Sequence, residues 1–194
     1  MRKRRFRTSL AATTVLLGLV IGRESREAEL PPDRQAIFLA RVIAYDENLK
    51  TRAGSAVNIG ILAKNGDRES EGMQDAVAKA FAQLESAPLR GLPVKISRIP
   101  FSDRDALDRA VQAAGIDTLY VCSGLDANLA DIKGVARARK VLAIASKENQ
   151  VKAGLSLGVF VVEGKNTILV NLEASRDQGV AFGLGLLQLA TVVK

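Results

Sequence analysis

Along the 194 residues, apolar positions recur with two different periods, and the switches between them mark the elements. From Asp33, Ile37 or Phe38, then Val42, Tyr45 and Leu49 return at three- to four-residue steps. Arg34, Arg41, Glu47 and Asn48 stand between them, which predicts an amphipathic helix. Residues 57–63 form a short apolar run that reads as a strand, with Gly60 leaving room for a close neighbour. A polar loop, 64–69, leads into a helix over 71–84 carrying Met73, Val77, Ala80, Phe81 and Leu84 on one face. Residues 93–99 alternate apolar and polar, the pattern of an edge or half-exposed strand. Ser102 is placed to cap a helix that buries Leu107 and Val111 and ends at Gly115. Buried strands are expected at 118–123 and 141–145, separated by a helix over 125–140 interrupted near Gly134.

Strands and helices that alternate in this way build right-handed βαβ units. The fold class is α/β: a mixed, mostly parallel sheet flanked by helices, with a C-terminal β-hairpin and an apolar helix. The hairpin is expected where 157–162 and 167–172 flank Glu163-Gly164-Lys165-Asn166. The helix is expected over 179–193, where only Gln188 and Thr191 are clearly polar between Val180 and Val193. A helix apolar nearly all round must be covered on most sides. Part of it should therefore be buried in the domain and part in a homodimer or partner contact. Gly183 and Gly185 would admit a close neighbour there, and Leu187 and Leu189 would lie at the interface.

The amino-terminal segment has a different logic. Arg2, Lys3, Arg4, Arg5 and Arg7 are followed by an uncharged stretch from Leu10 to Gly22. A basic start followed by about 7–15 apolar residues is the pattern of a secretory signal peptide. A membrane-spanning helix needs about 17–25 such residues, so a cleaved leader over 1–22 is the expectation. Residues 23–32, charged and ending in Pro31-Pro32, read as a linker, and 33–194 as one α/β domain. Loss of residues 1–22 changes the electrostatic picture. Of 28 basic residues five go and none of the 21 acidic ones, leaving 23 against 21, a balance of +2 in place of +7. That removes the case for nucleic-acid binding.

Composition then narrows the chemistry. With no His and a single Cys, Cys122, a Ser-His-Asp or Cys-His arrangement, a His-based zinc site and an intrachain disulfide are all excluded. The acidic residues Asp103, Asp105 and Asp108 suit the first turn of a helix better than a catalytic or metal-binding role. No catalytic residue, metal ligand or cofactor site is therefore expected, and Cys122 reads as a buried, inert thiol. In a parallel sheet, ligands bind beyond the carboxyl ends of the strands. Those ends carry Lys64 and Asn65, Ser123 and Gly124, and Ser146 and Lys147, the candidate ligand-binding set. Ser123-Gly124 is expected to open a helix, with Ser123 as its cap.

In its C-terminal half the chain resembles the YfiR-like family of exported proteins. The resemblance rests on 141–146 (VLAIAS), on the polar 147–152 leading into AGLSLGVF at 153–160, and on NTILVN at 166–171. It continues through Ala174 and 179–190, ending LLQLA, with DTLYVCS at 117–123 upstream. It covers about residues 33–193. Two departures stand out: Asn48–Ala53 replaces the family's Trp-Pro after the first helix, and the cysteine pairs of some members are reduced to Cys122. The resemblance implies a small periplasmic regulator, not an enzyme. It implies binding to the periplasmic domain of an inner-membrane signalling protein, a diguanylate cyclase or sensor kinase, which it would hold inactive. Control of cyclic-di-GMP and biofilm formation would follow. The residues themselves also admit a periplasmic solute-binding module that uses the strand-end crevice.

Overall fold

The computed structural model describes residues 30–162 and 164–193. The leader expected over 1–22, and most of the linker expected over 23–32, lie outside the described residues. Helix α1 (Pro32–Ile43) opens on a proline, whose missing N–H would have no helical partner at that position. It buries Ala36, Leu39, Ala40, Val42 and Ile43. The helix expected to continue to Leu49 instead stops, turns through Tyr45 and Asp46, and restarts as α2 (Leu49–Ala53).

Asp46 explains the break. Its carboxylate is fully buried and accepts the backbone N–H groups of Asn48 and Ala181, each at 3.0 Å. Arg52 grips it with Nη2 at 2.7 Å and Nε at 3.1 Å. The other guanidinium nitrogen donates to the carbonyls of Asp117 (2.7 Å) and Lys140 (3.2 Å). One ion pair thus fastens the end of α1 to the entry of two strands and to the C-terminal segment. No polar face of a continuous helix could make these bonds.

The alternation then runs β1 (Val57–Lys64), α3 (Arg68–Ala82), β2 (Val94–Phe101), α4 (Arg104–Ala113), β3 (Thr118–Val121) and α5 (Leu129–Arg139). It continues with β4 (Leu142–Ala145), α6 (Glu148–Lys152) and β5 (Leu157–Val162). The chain closes with β6 (Lys165–Asn171), α7 (Leu172–Asp177), α8 (Leu184–Leu187) and β7 (Ala190–Val193). The sheet order is β2-β1-β3-β4-β5-β6-β7. β1 to β5 are parallel, β6 returns antiparallel to β5, and β7 lies parallel to β6. This is the expected α/β sheet, with β2 at one edge and the expected hairpin formed by β5 and β6.

Both faces of the sheet are covered. Leu39, Ile43, Val77 and Phe81 from α1 and α3 pack with Ile59, Ile61 and Tyr120 on one side. Leu107, Val111, Ile132 and Val135 from α4 and α5 pack with Leu119, Val121 and Ala143 on the other. Gly60 is required: a Cβ there would lie 2.7 Å from Ile99 Cδ1.

Several local expectations are corrected. Asp103, not Ser102, caps α4, because its Oδ1 accepts the Ala106 N–H at 2.8 Å while Ser102 donates its hydroxyl to Oδ2. α5 passes through Gly134 without interruption, and the flat Arg104 guanidinium lies against that glycine. The apolar C-terminal helix is confined to the single turn α8. Beyond it Thr191, Val192 and Val193 enter the sheet as β7, a choice that suits β-branched side chains.

Candidate functional site

The strand order reverses between β1 and β3, the place where an open α/β sheet leaves its crevice. Here that crevice is filled by the chain itself. The Ser70 hydroxyl, in the first turn of α3, accepts the Lys64 N–H at 2.9 Å and donates to the Ser123 carbonyl at 2.7 Å. Asp67 caps α3 through the Ser70 N–H (3.0 Å), and its carboxylate lies over Gly124, where a Cβ would sit 3.2 Å from Oδ2. A carboxylate at this spot repels an anion that the α3 N-terminus would otherwise attract.

The six candidate residues therefore divide. Lys64 and Asn65 are exposed and line a separate hollow of about 250 Å³ with Glu71 and Gln74. Ser123 is buried at the end of β3, and its hydroxyl has no hydrogen-bond partner among the described residues. It is not a helix cap: a short 3-10 turn, Asp126–Asn128, intervenes before α5. Gly124 adopts a φ of +83° under Asp67. Ser146 and Lys147, both half-buried, line a larger space.

That space is a cleft of about 500 Å³, displaced from the switch point toward β5. α1 and its entry form one wall and α3 the other, with Gln35 and Met73 facing each other's side. Tyr120 and Val159 contribute from the sheet, and Ser146 and Lys147 follow β4 at the rim. Tyr120 is almost wholly buried, with its hydroxyl donating to Gln35 Oε1 at 3.0 Å and its ring edge-on to Phe81. Gln150 positions the rim: its Oε1 accepts the N–H groups of Ser146 (3.0 Å) and Lys147 (3.3 Å). Its Nε2 reaches back to the Cys122 carbonyl at 3.4 Å. A buried glutamine thus fixes the turn from which Lys147 projects.

The remaining ionisable groups have structural settings. Burial pushes the Cys122 thiol up to about 12. Burial also raises Asp117 above its ordinary value, against the opposing pull of hydrogen bonds from the Asn58 N–H and the Thr118 hydroxyl. Asp117 lies at the start of β3, the end of the sheet away from the cleft. Among the described residues no group of three or more Cys, Asp or Glu side chains is placed to hold a metal ion.

Gly183 and Gly185 do admit a close neighbour, and it comes from the turn after α1. A Cβ on Gly183 would lie 3.0 Å from Glu47 Oε1, and one on Gly185 would lie 3.3 Å from Tyr45 Cε1. Leu187 is half-buried, whereas Leu184 and Leu189 are 78% and 67% exposed.

The sequence matches the YfiR/HmsC-like family over residues 33–191. The chain belongs to this family, whose members are periplasmic regulatory proteins. No curated protein matches it. Among solved structures it is similar to an ABC domain in complex with L-Trp from Streptococcus pneumonia, at 13% identity and a TM-score of 0.58. That match covers 84% of this chain and 60% of the other. A conserved domain protein from Vibrio cholerae is similar at 14% identity and a TM-score of 0.59, covering 86% and 62% of the two chains. CD0873, a substrate-binding protein with adhesive properties from Clostridium difficile, is similar at 17% identity and a TM-score of 0.53, covering 76% and 58%. This chain spans about three fifths of the length of these structures, and the likeness is one of fold. Among the described residues no helix is long and apolar enough to cross a membrane.

Proposed function

We propose that the protein binds the periplasmic domain of an inner-membrane diguanylate cyclase and holds the enzyme inactive, limiting cyclic-di-GMP and biofilm formation. The observation that supports this reading is an apolar surface at the C-terminal end of the domain. Leu184 and Leu189 are exposed there together with Val192, and Tyr45 packs beside Gly185. The same region holds β7, an uncharged strand at the edge of the sheet. Clustered apolar side chains next to an unpaired strand edge form a surface suited to another protein. Binding there would act by favouring the partner's inactive state over its active one.

The test is capture from detergent-solubilised membranes with the tagged protein, followed by cellular cyclic-di-GMP in cells carrying wild type or Leu189→Asp. Capture of a membrane cyclase, lost together with repression in the folded variant, is the expected result. A Leu189→Asp protein that still captures the cyclase and lowers cyclic-di-GMP as well as wild type overturns the assignment of this surface. If the captured partner is only a second copy of the chain, the surface is a homodimer contact and the repressor reading fails.

A further inference from the structure

We infer that the cleft between α1 and α3 is a binding site for a small amphipathic monocarboxylate, with an apolar body of one ring or a short branched chain. This goes beyond partner binding and uses a different surface. A cleft of about 500 Å³ falls within the usual size of small-molecule sites, about 300–1,000 Å³, which are mostly apolar with a few convergent polar groups. The apolar part is supplied by Met73 and Val77 on α3 and by Val159 and Val161 on β5. These residues come from one wall and from the sheet, and Leu30, Pro31 and Pro32 at the entry to α1 stand on the other side, so a flat or branched body meets apolar groups from both sides.

The polar part selects the headgroup. Lys147 is the one cation in the lining, and its ammonium makes no ion pair or side-chain hydrogen bond among the described residues. The Ser146 hydroxyl next to it donates to Gln150 Oε1 at 3.3 Å, and the same oxygen accepts the N–H groups of both residues, so Gln150 holds the turn that carries Lys147. A carboxylate is the headgroup whose charge a lone ammonium pairs with. Glu69, an exposed residue at the end of α3 nearest the rim, also lines the cleft. With one base and one acid in the lining, a dianion is disfavoured and a single negative charge fits. Glu69 further leaves room for an amine on the ligand, so simple and amino-bearing carboxylates share the same recognition.

The experiment is isothermal titration of the purified protein, without any partner, against three probes that share a phenylpropyl frame: 3-phenylpropionate, phenylalanine and 3-phenylpropan-1-ol. At least one of the two carboxylates should bind, and at least tenfold more tightly than the alcohol. Lys147→Met should weaken that carboxylate at least tenfold and leave the alcohol unchanged. Ala76→Trp, at an exposed α3 position that lines the cleft, should block all three with the fold intact. Tighter binding of phenylalanine, lost in Glu69→Gln, supports the site with an amino acid as its ligand. Tighter binding of 3-phenylpropionate, indifferent to Glu69→Gln, supports it with a simple acid. Absence of binding by both carboxylates at millimolar concentration, or carboxylate binding untouched by both Lys147→Met and Ala76→Trp, overturns the inference.

Discussion

Removal of the Arg52 guanidinium by Arg52→Ala is the severest test of how this fold is held. The side chains of Arg52 and Asp46 are 7% and 0% exposed, so the pair is shielded from solvent and not a surface contact. The substitution strips two bonds from the Asp46 carboxylate and one each from the carbonyls of Asp117 and Lys140. The carboxylate keeps only the N–H groups of Asn48 and Ala181. Breaking a buried pair by removing one partner costs about 3–5 kcal/mol, because a charge is left uncompensated. Against a total stability of about 5–15 kcal/mol that is a large fraction. At about 2–4 °C per kcal/mol for a chain of this size, the melting temperature should fall by about 6–20 °C. Circular dichroism during heating and in urea reads both quantities. The double variant Asp46→Asn with Arg52→Met should recover part of the loss, since Asn keeps an acceptor for the two N–H groups without the charge. An Arg52→Ala protein within about 1 kcal/mol of wild type, or a double variant no better than the single one, would refute the clamp.

Three further outcomes are expected. Asp117, raised by burial, favours the fold most below the ordinary carboxylate value of 3.8 and loses that contribution as pH rises through its higher folded value. Asp117→Asn should therefore gain stability relative to wild type as pH rises above the ordinary carboxylate value, and urea midpoints that differ by a constant amount from acid to neutral pH would contradict it. Cys122, fully buried with its thiol held at about 12, should resist thiol reagents in the native protein and react fully in denaturant; rapid native labelling would refute its burial. Leu186 is fully buried whereas Leu184 is exposed, so Leu186→Asp should abolish cooperative melting and Leu184→Asp should leave it within about 0.5 kcal/mol of wild type. Equal melting curves for the two variants would place both side chains wrongly.

The sheet was readable wherever one face or both faces of a strand were committed to the core. The apolar runs at 57–63, 118–123 and 141–145 correspond to β1, β3 and β4, and the two runs of the expected hairpin correspond to β5 and β6. The break after α1 was hidden because a buried Asp46 has the same polarity pattern as an exposed one. Only its distant partners, Arg52 and Ala181, give it away. At the C-terminus an apolar run of either period looks alike, and pairing with β6 decided for a strand. For the site, Ser146 and Lys147 were visible as polar residues at a strand end. Met73 and Tyr120 were not, because helix and strand periodicity assigns such positions to the core, and Gln35 read as one more polar helix position; only the gap between α1 and α3 turns them into a lining. Gln150 carried no signal at all, as one polar residue in a polar segment.

The Asp46 clamp also imposes an order in time. Its two backbone donors include Ala181, 135 residues further on, and Asp46 forms an isolated bridge with Phe182. Synthesis from the amino end delivers α1 early and this last fastening almost at the end. Until residues 181 and 182 emerge, the carboxylate is best left in water, and the end of α1 has nothing to lock onto. Contacts of such long sequence separation form late, after the loop between them has been closed. Folding is therefore completed by the tail of the chain. A polypeptide cut short before Ala181 would be a target for proteases and not a smaller working domain.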